Sequence, residues 1–334
     1  MEDPPAWRGC RTGGASAADR LATADPAPEG PLLPVGGRAG VPPVVGAASA
    51  DSTTVQAPPG LGGAAALSGA VPAGRPRVVL VMPEFNEDRT IIDVLTEAAP
   101  YVDRIIVVDD GSRDDSHART LEWMSSAALH VDLLRHDRNR GMSGALLSGF
   151  AHVYALLAQG MIAPDDVVVN IDADGQHDPA DIPALVGRLV ARGVDVVLGR
   201  RDLSGYPLYK RVGNWGLSLS GSLLAGHRYQ DIECGFRALR VRSVPTLLRY
   251  FSGHRYGCAQ ELGVILPRCG FTVDNALTVR VRYYREGARF RDGAVNAAMG
   301  LLAFFRVVLR AGDRVERRVP ELLGALTMSS RVAG

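Results

Sequence analysis

The sequence predicts an α/β domain built on a mostly parallel sheet, and three observations support this prediction. Short apolar runs recur along the chain, as is typical of strands buried on both faces of a sheet. Segments with a helical spacing of apolar residues alternate with these runs, and the links are short. Charged residues follow three of the runs: Asp109 and Asp110, Asp172 and Asp174, and Arg200 and Arg201. Open α/β sheets bind ligands at the carboxyl ends of their strands, so these residues are candidates for a site.

The predicted elements follow one another from residue 77. Strands are predicted at 77–82, ending at Pro83, and then at 104–108, 131–134, 167–171 and 194–198. Helices are predicted at 90–98 and 116–124, from the glycines near 141 as far as Ala158, and at 179–192. Asp178 is suited to cap the last of these helices, with Pro179 in its first turn, and Gly160 and Gly193 are suited to end helices.

The composition divides the chain into three parts. Residues 1–75 are rich in Ala, Gly, Pro and Ser without periodicity, which predicts a disordered tail. Glu2 and Asp3 stand where a signal peptide would be basic. Residues 76–312 form the predicted catalytic domain, and residues 313–334 form a predicted C-terminal tail.

The overall charge and the cysteines exclude several classes of protein. Acidic and basic residues nearly balance, 36 against 37, so the chain lacks the basic surplus of a nucleic-acid-binding protein. No nucleic-acid partner is expected. The four cysteines form no C-x-x-C pair, which argues against a zinc knuckle or a disulfide scaffold and fits a reducing cytosol.

The segment 164–178, PDDVVVNIDADGQHD, carries the strongest candidate site. Alternation along the strand that ends here places Asp172 and Asp174 on one side, and Gly175 and Gln176 follow in a turn. Carboxylate and amide oxygens suit Mg²⁺ or Mn²⁺, whose remaining ligands come from water and phosphates. The alternative is a solvated turn with a helix cap. No P-loop signature occurs and no G-x-G-x-x-G follows the first strand, so neither a P-loop enzyme nor a dinucleotide site is expected.

Eight motifs then occur in order between residues 78 and 290: VMPEFNE (81–87), VVDDGSRDDS (107–116), RNRGMSGALLSGF (138–150), IDADGQHDP (171–179), VVLGRRD (196–202), YKRVGNWGLS (209–218), DIECGFRALR (231–240) and YREGARF (284–290). Together they resemble family 2 glycosyltransferases, in particular the dolichol- or polyprenyl-phosphate mannose synthase-like branch. The resemblance implies a GT-A fold: a Rossmann-like, mostly parallel sheet flanked by helices, in one catalytic domain. It also implies a nucleotide-sugar donor linked to GDP or UDP.

The resemblance assigns roles to individual residues. Pro83, Phe85 and Glu87 would line the nucleoside pocket, and Val108 and Asp110 would hold the base and the ribose. Asp172, Asp174 and Gln176 would face the metal, with Ala173 against the nucleotide. Arg201, Arg282 and Arg289 would meet donor or acceptor phosphates.

Some of these residues have simpler explanations that stay open. Glu87 is also what an exposed first turn of a helix would carry, where the helix dipole favours an acid. Asp109 and His177 are interpreted as structural residues rather than ligands. Arg289 is equally well explained as a solvated charge.

The chemistry expected at the site depends on the acceptor. Asp174 and Arg201 are the candidates for stabilising charge on a leaving diphosphate. A hydroxyl acceptor needs a general base, for which Asp231 and Glu261 are the candidates. Glu261 lies in an apolar helical segment where a raised pKa is expected, and Asp231 could instead orient Arg237 or its loop. A polyprenyl phosphate is already anionic and needs no base.

The segment 294–309 bears on where the protein works. It is apolar, with Met299, Leu302, Phe305 and Leu309 near one face, and arginines interrupt and follow it. It lacks the run of about 18 apolar residues that a spanning helix needs. It therefore predicts either a helix at a membrane interface or a helix packed on the domain. We expect a cytoplasmic protein that makes peripheral contact with the inner face of the membrane.

These observations predict a metal-dependent inverting glycosyltransferase that moves a sugar from a nucleotide sugar to an acceptor such as a polyprenyl phosphate. One alternative is transfer to a soluble hydroxyl acceptor. A sugar nucleotidyltransferase would want a glycine-rich, basic loop after the first strand, where this chain has PEFNE. An inactive nucleotide-sugar-binding protein would be favoured by loss of the metal carboxylates, and both are present.

Overall fold

The computed structural model describes residues 74–254, 257–282 and 290–331. The predicted N-terminal tail lies outside the described residues except for Gly74 and Arg75. Arg75 already belongs to the folded part, because its guanidinium meets the carboxylate of Asp103 at 2.6 and 2.9 Å.

The described residues contain eight strands in one sheet. They are β1 (Val78–Glu84), β2 (Arg104–Asp109), β3 (His130–His136), β4 (Val167–Asn170), β5 (Val196–Arg201), β6 (Arg237–Arg240), β7 (Val273–Val279) and β8 (Leu326–Arg331). Their order across the sheet is β7-β5-β6-β4-β1-β2-β3-β8. Strands β6 and β8 run antiparallel to their neighbours and the other six run parallel to one another. The predicted α/β class with a mostly parallel sheet is confirmed.

Helices cover both faces of this sheet. They are α1 (Ile91–Ala98), α2 (Ser116–Ser126), α3 (Met142–Ala158), α4 (Ile182–Arg192), α5 (Leu208–Ala225), α6 (Val244–Tyr250), α7 (Cys258–Arg268), α8 (Phe290–Val308) and α9 (Val315–Gly324). Alternation along β1 sends Leu80 and Met82 into one apolar cluster, with α1, α2 and α4, and sends Val79 and Val81 into a second, with α3, α6 and α7. Burial of such side chains stabilises the fold by roughly 1.5–3 kcal/mol each.

Strand β1 extends past Pro83, where the sequence predicts its end, and reaches Glu84. Pairing with β4 stops at Val81, and Pro83 points its backbone nitrogen toward the same side as Val81. The missing N–H of the proline therefore faces a side without a partner strand, which costs the sheet no hydrogen bond.

The predicted C-terminal tail from residue 313 is wrong, because α9 and β8 are parts of the domain. Val319 is buried against the second apolar cluster, and β8 pairs antiparallel with β3 from Leu326 to Arg331. The hydroxyl of Ser330 donates to the carboxylate of Asp132 at 2.7 Å. Strand β8 is polar and half exposed, so it carries no buried-strand signal in the sequence.

Candidate active site

The turn after β4 carries the predicted metal ligands. Strand β4 ends at Asn170, so Asp172 and Asp174 lie beyond the strand rather than alternating along it. Gly175 has φ +70°, a left-handed conformation that glycine adopts without strain. Gly235 faces this turn, and a Cβ there would lie 2.8 Å from Asp172 Oδ2. Only a glycine at 235 therefore lets the loop before β6 approach the first carboxylate so closely.

The two carboxylates are poorly compensated. Desolvation, followed by the charge of Asp174, raises the pKa of Asp172 to about 7. No hydrogen bond reaches the Asp172 carboxylate from the residues that the structure describes. Desolvation also raises the pKa of Asp174, although its Oδ1 accepts a hydrogen bond of 2.9 Å from the Gln176 backbone. Two acids that repel one another and accept so few hydrogen bonds are suited to a cation.

The donor set fits a magnesium or manganese ion that shares its coordination with a ligand. Within residues 74–254, 257–282 and 290–331 there is no cluster of three or more His, Cys, Asp or Glu side chains that would form a complete protein cage. Mg²⁺ typically takes one or two carboxylates from a protein and fills its octahedron with waters and phosphate oxygens. Asp172 and Asp174 supply this number of carboxylates, with Gln176 next to them.

The end of β1 meets this turn. The hydroxyl of Thr90 donates to the carbonyl of Ala173 at 2.8 Å and lies 3.2 Å from Glu87 Oε2. Desolvation and the charge of Asp174 raise the pKa of Glu87, so Glu87 and Asp174 lie close enough to repel. Phe85 is partly exposed beside them, and Pro83 is buried in the strand. The structure thus brings together Glu87, Ala173 and the carboxylate pair.

Two residues expected at the base and ribose are engaged elsewhere. The Val108 side chain is fully buried and packs beneath α3, so only its backbone is available to a nucleoside. Asp110 accepts hydrogen bonds from the backbone nitrogens of Arg140 and Gly141 at 2.8 and 2.7 Å, and lies 2.6 Å from the His136 ring. Its carboxylate fixes the loop before α3.

The Arg201 side chain is held by buried and polar neighbours. Asp231 is fully buried and receives Arg201 Nε at 2.8 Å, Nη2 at 2.9 Å and the Arg201 backbone nitrogen at 3.0 Å. Arg201 Nη2 also donates to Asn214 on α5 at 3.0 Å. Asp231 therefore orients Arg201 rather than Arg237. Because both of its oxygens already accept from Arg201, Asp231 is poorly suited to act as a general base.

A segment after β7 closes the other side of the turn. The Arg282 backbone nitrogen donates to the Gln176 carbonyl at 2.8 Å, and His177 forms an isolated bridge with Val281. Burial lowers the pKa of His177 to about 4, so this imidazole is neutral at physiological pH. Arg289 lies outside the described residues.

Glu261, the second candidate base, faces a different part of the domain. Its Oε1 accepts from the Ser252 hydroxyl at 2.6 Å and its Oε2 from the Ser252 backbone at 2.8 Å. Burial raises its pKa to about 7, against the opposing charges of Arg306 and Arg318. The raised pKa agrees with the expectation, but these partners belong to the packing of α7 on the C-terminal helices.

Sequence reasoning missed three charged residues near the site. Arg237 is buried at the start of β6, with Nη1 and Nη2 lacking partners among the described residues. Glu233 receives the amides of Gln260 and Asn296 at 2.7 and 2.9 Å. Burial and the charge of Asp109 raise the pKa of Glu84 to about 8. All three lie within motifs named above, Glu84 in VMPEFNE and the other two in DIECGFRALR, but their burial and partners depend on the tertiary fold.

The paired carboxylates and the fixed arginine lie at the carboxyl ends of the parallel strands, where open α/β enzymes bind their ligands. The model of the family described as "Glycosyl transferase family 2" matches residues 79–248, about half of the chain. The chain belongs to this family and has its GT-A fold, so the predicted family and enzyme class are confirmed.

Curated relatives agree with the polyprenyl-phosphate branch. The chain is 28% identical over 249 residues to a UDP-N-acetylglucosamine–dolichyl-phosphate N-acetylglucosaminyltransferase of Methanococcus voltae, covering 70% of this chain and 95% of that protein. It is 31% identical over 206 residues to an undecaprenyl-phosphate mannosyltransferase of Micrococcus luteus, covering 58% and 79%. Among solved structures, a glucosyl-3-phosphoglycerate synthase of Mycobacterium tuberculosis with Mn²⁺, UDP and phosphoglyceric acid gives a TM-score of 0.49 at 20% identity, covering 70% and 79%.

Proposed function

We propose that this protein transfers a sugar from a GDP- or UDP-linked donor to a polyprenyl phosphate, with inversion at the anomeric carbon and with Mg²⁺ or Mn²⁺ bound. The observation that carries the proposal is the pair Asp172 and Asp174, which are poorly compensated at the sheet edge where the nucleotide of this family is expected. The two curated relatives described above are named for transfer to dolichyl and undecaprenyl phosphate.

The donor would lie across the ends of β1 and β4. Pro83, Phe85 and Glu87 would border the nucleoside, with the buried Ala173 beneath it. Asp172, Asp174 and Gln176 would hold the cation, which when bound would neutralise charge on the donor diphosphate. Arg282, whose backbone is anchored to Gln176, would place its exposed side chain near the same phosphates. Arg289 is proposed for this role on the family resemblance alone.

The acceptor would approach from the side of β5 and β6. Asp231 and Asn214 hold the Arg201 guanidinium in place through its Nε and Nη2. Arg201 would bind the acceptor phosphate and orient one oxygen toward the anomeric carbon. That oxygen forms the new C–O bond as the bond to the diphosphate breaks, and the bonding electron pair leaves with the nucleoside diphosphate.

An anionic acceptor agrees with the state of the candidate bases. Both oxygens of Asp231 accept from Arg201, and both oxygens of Glu261 accept from Ser252. A phosphate oxygen carries no proton at neutral pH that a base must remove, so the transfer needs neither residue as a base. We further propose that the protein is cytoplasmic and meets its acceptor at the inner face of the membrane.

The test is a transfer assay with the purified full-length chain, labelled GDP- and UDP-sugars, Mg²⁺ or Mn²⁺, and a short polyprenyl phosphate. We expect a lipid-linked sugar of inverted configuration, whose formation stops in excess EDTA. Transfer to a soluble hydroxyl acceptor alone would overturn the assignment of the acceptor. Undiminished transfer in excess EDTA would show that the reaction does not depend on a divalent metal ion.

A further inference from the structure

Exposed apolar side chains are concentrated on two neighbouring helices. The described residues expose eighteen large apolar side chains, and twelve of them lie on α5, on α8 or at the next residue, Leu309. On α5 they are Leu208, Tyr209, Val212, Trp215, Leu219 and Leu223, and on the second helix they are Val295, Leu301, Leu302, Phe305, Val308 and Leu309. Monomeric soluble proteins rarely leave a patch of this extent uncovered unless it binds something.

The two helices form one surface, named here the α5–α8 face after the twelve residues above. Helix α5 packs beside α8, where Gly293 and Gly300 approach Leu217 and Leu224, so the helices run side by side in the same direction. Both rest on α7. Their solvent sides therefore point away from α7, in a common direction.

The two segments that carry the α5–α8 face hold charges of one sign. Residues 203–230 and 293–312 contain no Asp or Glu, and they contain five cations. Arg211, Arg228 and Arg310 are exposed among them. Exposed acids follow only beyond these two ranges, at Asp202 and at Asp313, which pairs with Arg306 at 3.1 Å. An apolar surface whose own segments carry only basic charges is complementary to a bilayer with anionic headgroups, where arginines meet phosphates and apolar side chains enter the interface.

The α5–α8 face also borders the acceptor side of the site. Asn214 of α5 accepts a hydrogen bond from Arg201, and Asn296 of α8 donates to Glu233 in the loop between Asp231 and Gly235. A lipid-borne acceptor keeps its chain in the bilayer while its phosphate reaches Arg201. The helices that flank this entrance must then lie against the membrane surface.

We propose that the α5–α8 face is a membrane-docking surface that inserts into the headgroup region of an anionic bilayer, with Trp215 and Phe305 as anchors on its two helices. This inference rests on the proposed function, because the position of the acceptor site selects a bilayer over a soluble partner. Among the described residues no helix is long and apolar enough to cross a membrane, and interfacial insertion requires none.

The test compares the Leu219→Asp/Leu223→Asp and Phe305→Asp variants with two controls of similar exposure elsewhere, Val190→Asp on α4 and Met328→Asp on β8. Binding is measured by co-sedimentation with vesicles of phosphatidylglycerol and phosphatidylcholine and with vesicles of phosphatidylcholine alone. We expect at least tenfold weaker binding to anionic vesicles for the face variants, and changes within twofold for the controls. Wild-type protein should bind neutral vesicles more weakly than anionic ones.

Trp215 provides a direct reading of insertion. The chain has three tryptophans, so a W7F/W123F variant leaves Trp215 as the single indole. Its emission should shift to shorter wavelength on anionic vesicles and be quenched by brominated lipids. Unshifted emission in vesicle-bound protein would overturn the proposal. The proposal would also be overturned if light scattering shows that the wild-type protein is a dimer and that the L219D/L223D variant is a monomer. In that case a second copy of the chain would cover the α5–α8 face.

The same variants separate this inference from the proposed function. With a short, water-soluble polyprenyl phosphate, L219D/L223D should keep wild-type transfer; with the acceptor embedded in vesicles, its transfer should fall at least tenfold. If wild-type protein transfers to neither acceptor but Trp215 still inserts, the proposed function fails and the docking surface stands. If transfer proceeds on both acceptors in all variants, the docking surface is wrong.

Discussion

Two pairs of acids at the same sheet edge have opposite surroundings. Asp109 and Asp110 after β2 are buried beside several partners: Asp109 Oδ1 accepts from the Ser112 backbone at 2.7 Å, its Oδ2 lies 3.2 Å from the Arg135 guanidinium, and Asp110 accepts from two backbone nitrogens and lies 2.6 Å from His136. After β4, Asp174 accepts from Gln176, and no hydrogen bond reaches the Asp172 carboxylate from the described residues. The sequence pattern is the same, but the second pair accepts fewer hydrogen bonds and has more capacity for a cation.

This comparison separates stability from chemistry. A buried acid such as Asp110, which accepts several hydrogen bonds, stabilises the loop that supplies the donors. An acid pair with few donors weakens the ligand-free fold and gains from a bound cation. Removal of an acid after β2 should therefore cost stability, and removal of an acid after β4 should cost activity.

The largest effect is expected at Asp174. Asp174→Asn keeps the shape and removes one charge from the pair, so turnover should fall about 10²-fold or more while the melting temperature changes little. Steady-state kinetics and thermal unfolding check both halves. Unchanged turnover would remove Asp174 from the site, and a large loss of stability would make it a structural acid like Asp110.

A smaller effect, on stability, is expected at Asp110. Asp110→Ala leaves His136 and the nitrogens of Arg140 and Gly141 without their acceptor, so the free energy of unfolding should fall by about 3 kcal/mol. Denaturant unfolding measures the loss, with Asp137→Ala, an exposed acid in the same loop, as the control. If the variant keeps its stability but binds the nucleotide more weakly, Asp110 contacts the ribose and does not stabilise the loop.

Glu261 should show a dependence of stability on pH. Because burial raises its folded pKa to about 7 from an unfolded value near 4.5, its contribution is complete below the unfolded pKa and is lost as pH rises to about 7. Glu261→Gln removes this loss, so the variant should gain melting temperature relative to wild type between pH 5 and 7.5. Turnover should stay within about threefold of wild type, and a hundredfold loss would make Glu261 the base.

The smallest effect is expected from the N-terminal tail. Deletion of residues 1–74 retains Arg75 and its pair with Asp103, so the melting temperature should stay within a few degrees of the full chain. Differential scanning calorimetry of both proteins makes the comparison. A large drop would mean that the tail packs on the domain.

The sequence predicts five of the six parallel strands, because apolar runs such as 167–170 have no other stable place than a buried strand. It misses the sixth, β7, whose run contains Asp274 and Asn275. It does not predict β6, whose four residues lie antiparallel between β4 and β5, or β8, whose polar residues pair at an exposed edge. Both depend on contacts between residues far apart in the chain.

The sequence predicts which residue types form the site, but it does not predict which hydrogen-bond partners they have. DADGQ identifies the acids, and the Gly175 turn follows from local geometry. Nothing local shows that Asp231 receives Arg201 across 30 residues, or that Asp110 receives nitrogens from residues 140 and 141. Hydrogen-bond partners are set by the tertiary fold, and they decide which acid is free for chemistry.

The most direct test of the account is Mn²⁺ binding followed by electron paramagnetic resonance, with and without GDP or UDP. In wild-type protein the nucleoside diphosphate should tighten Mn²⁺ binding, because its phosphates complete the coordination that Asp172 and Asp174 begin. Asp172→Asn and Asp174→Asn should abolish this binding, and Asp109→Asn, if folded, should retain it. Equal Mn²⁺ binding by wild type and by the Asp172 and Asp174 variants would contradict the account.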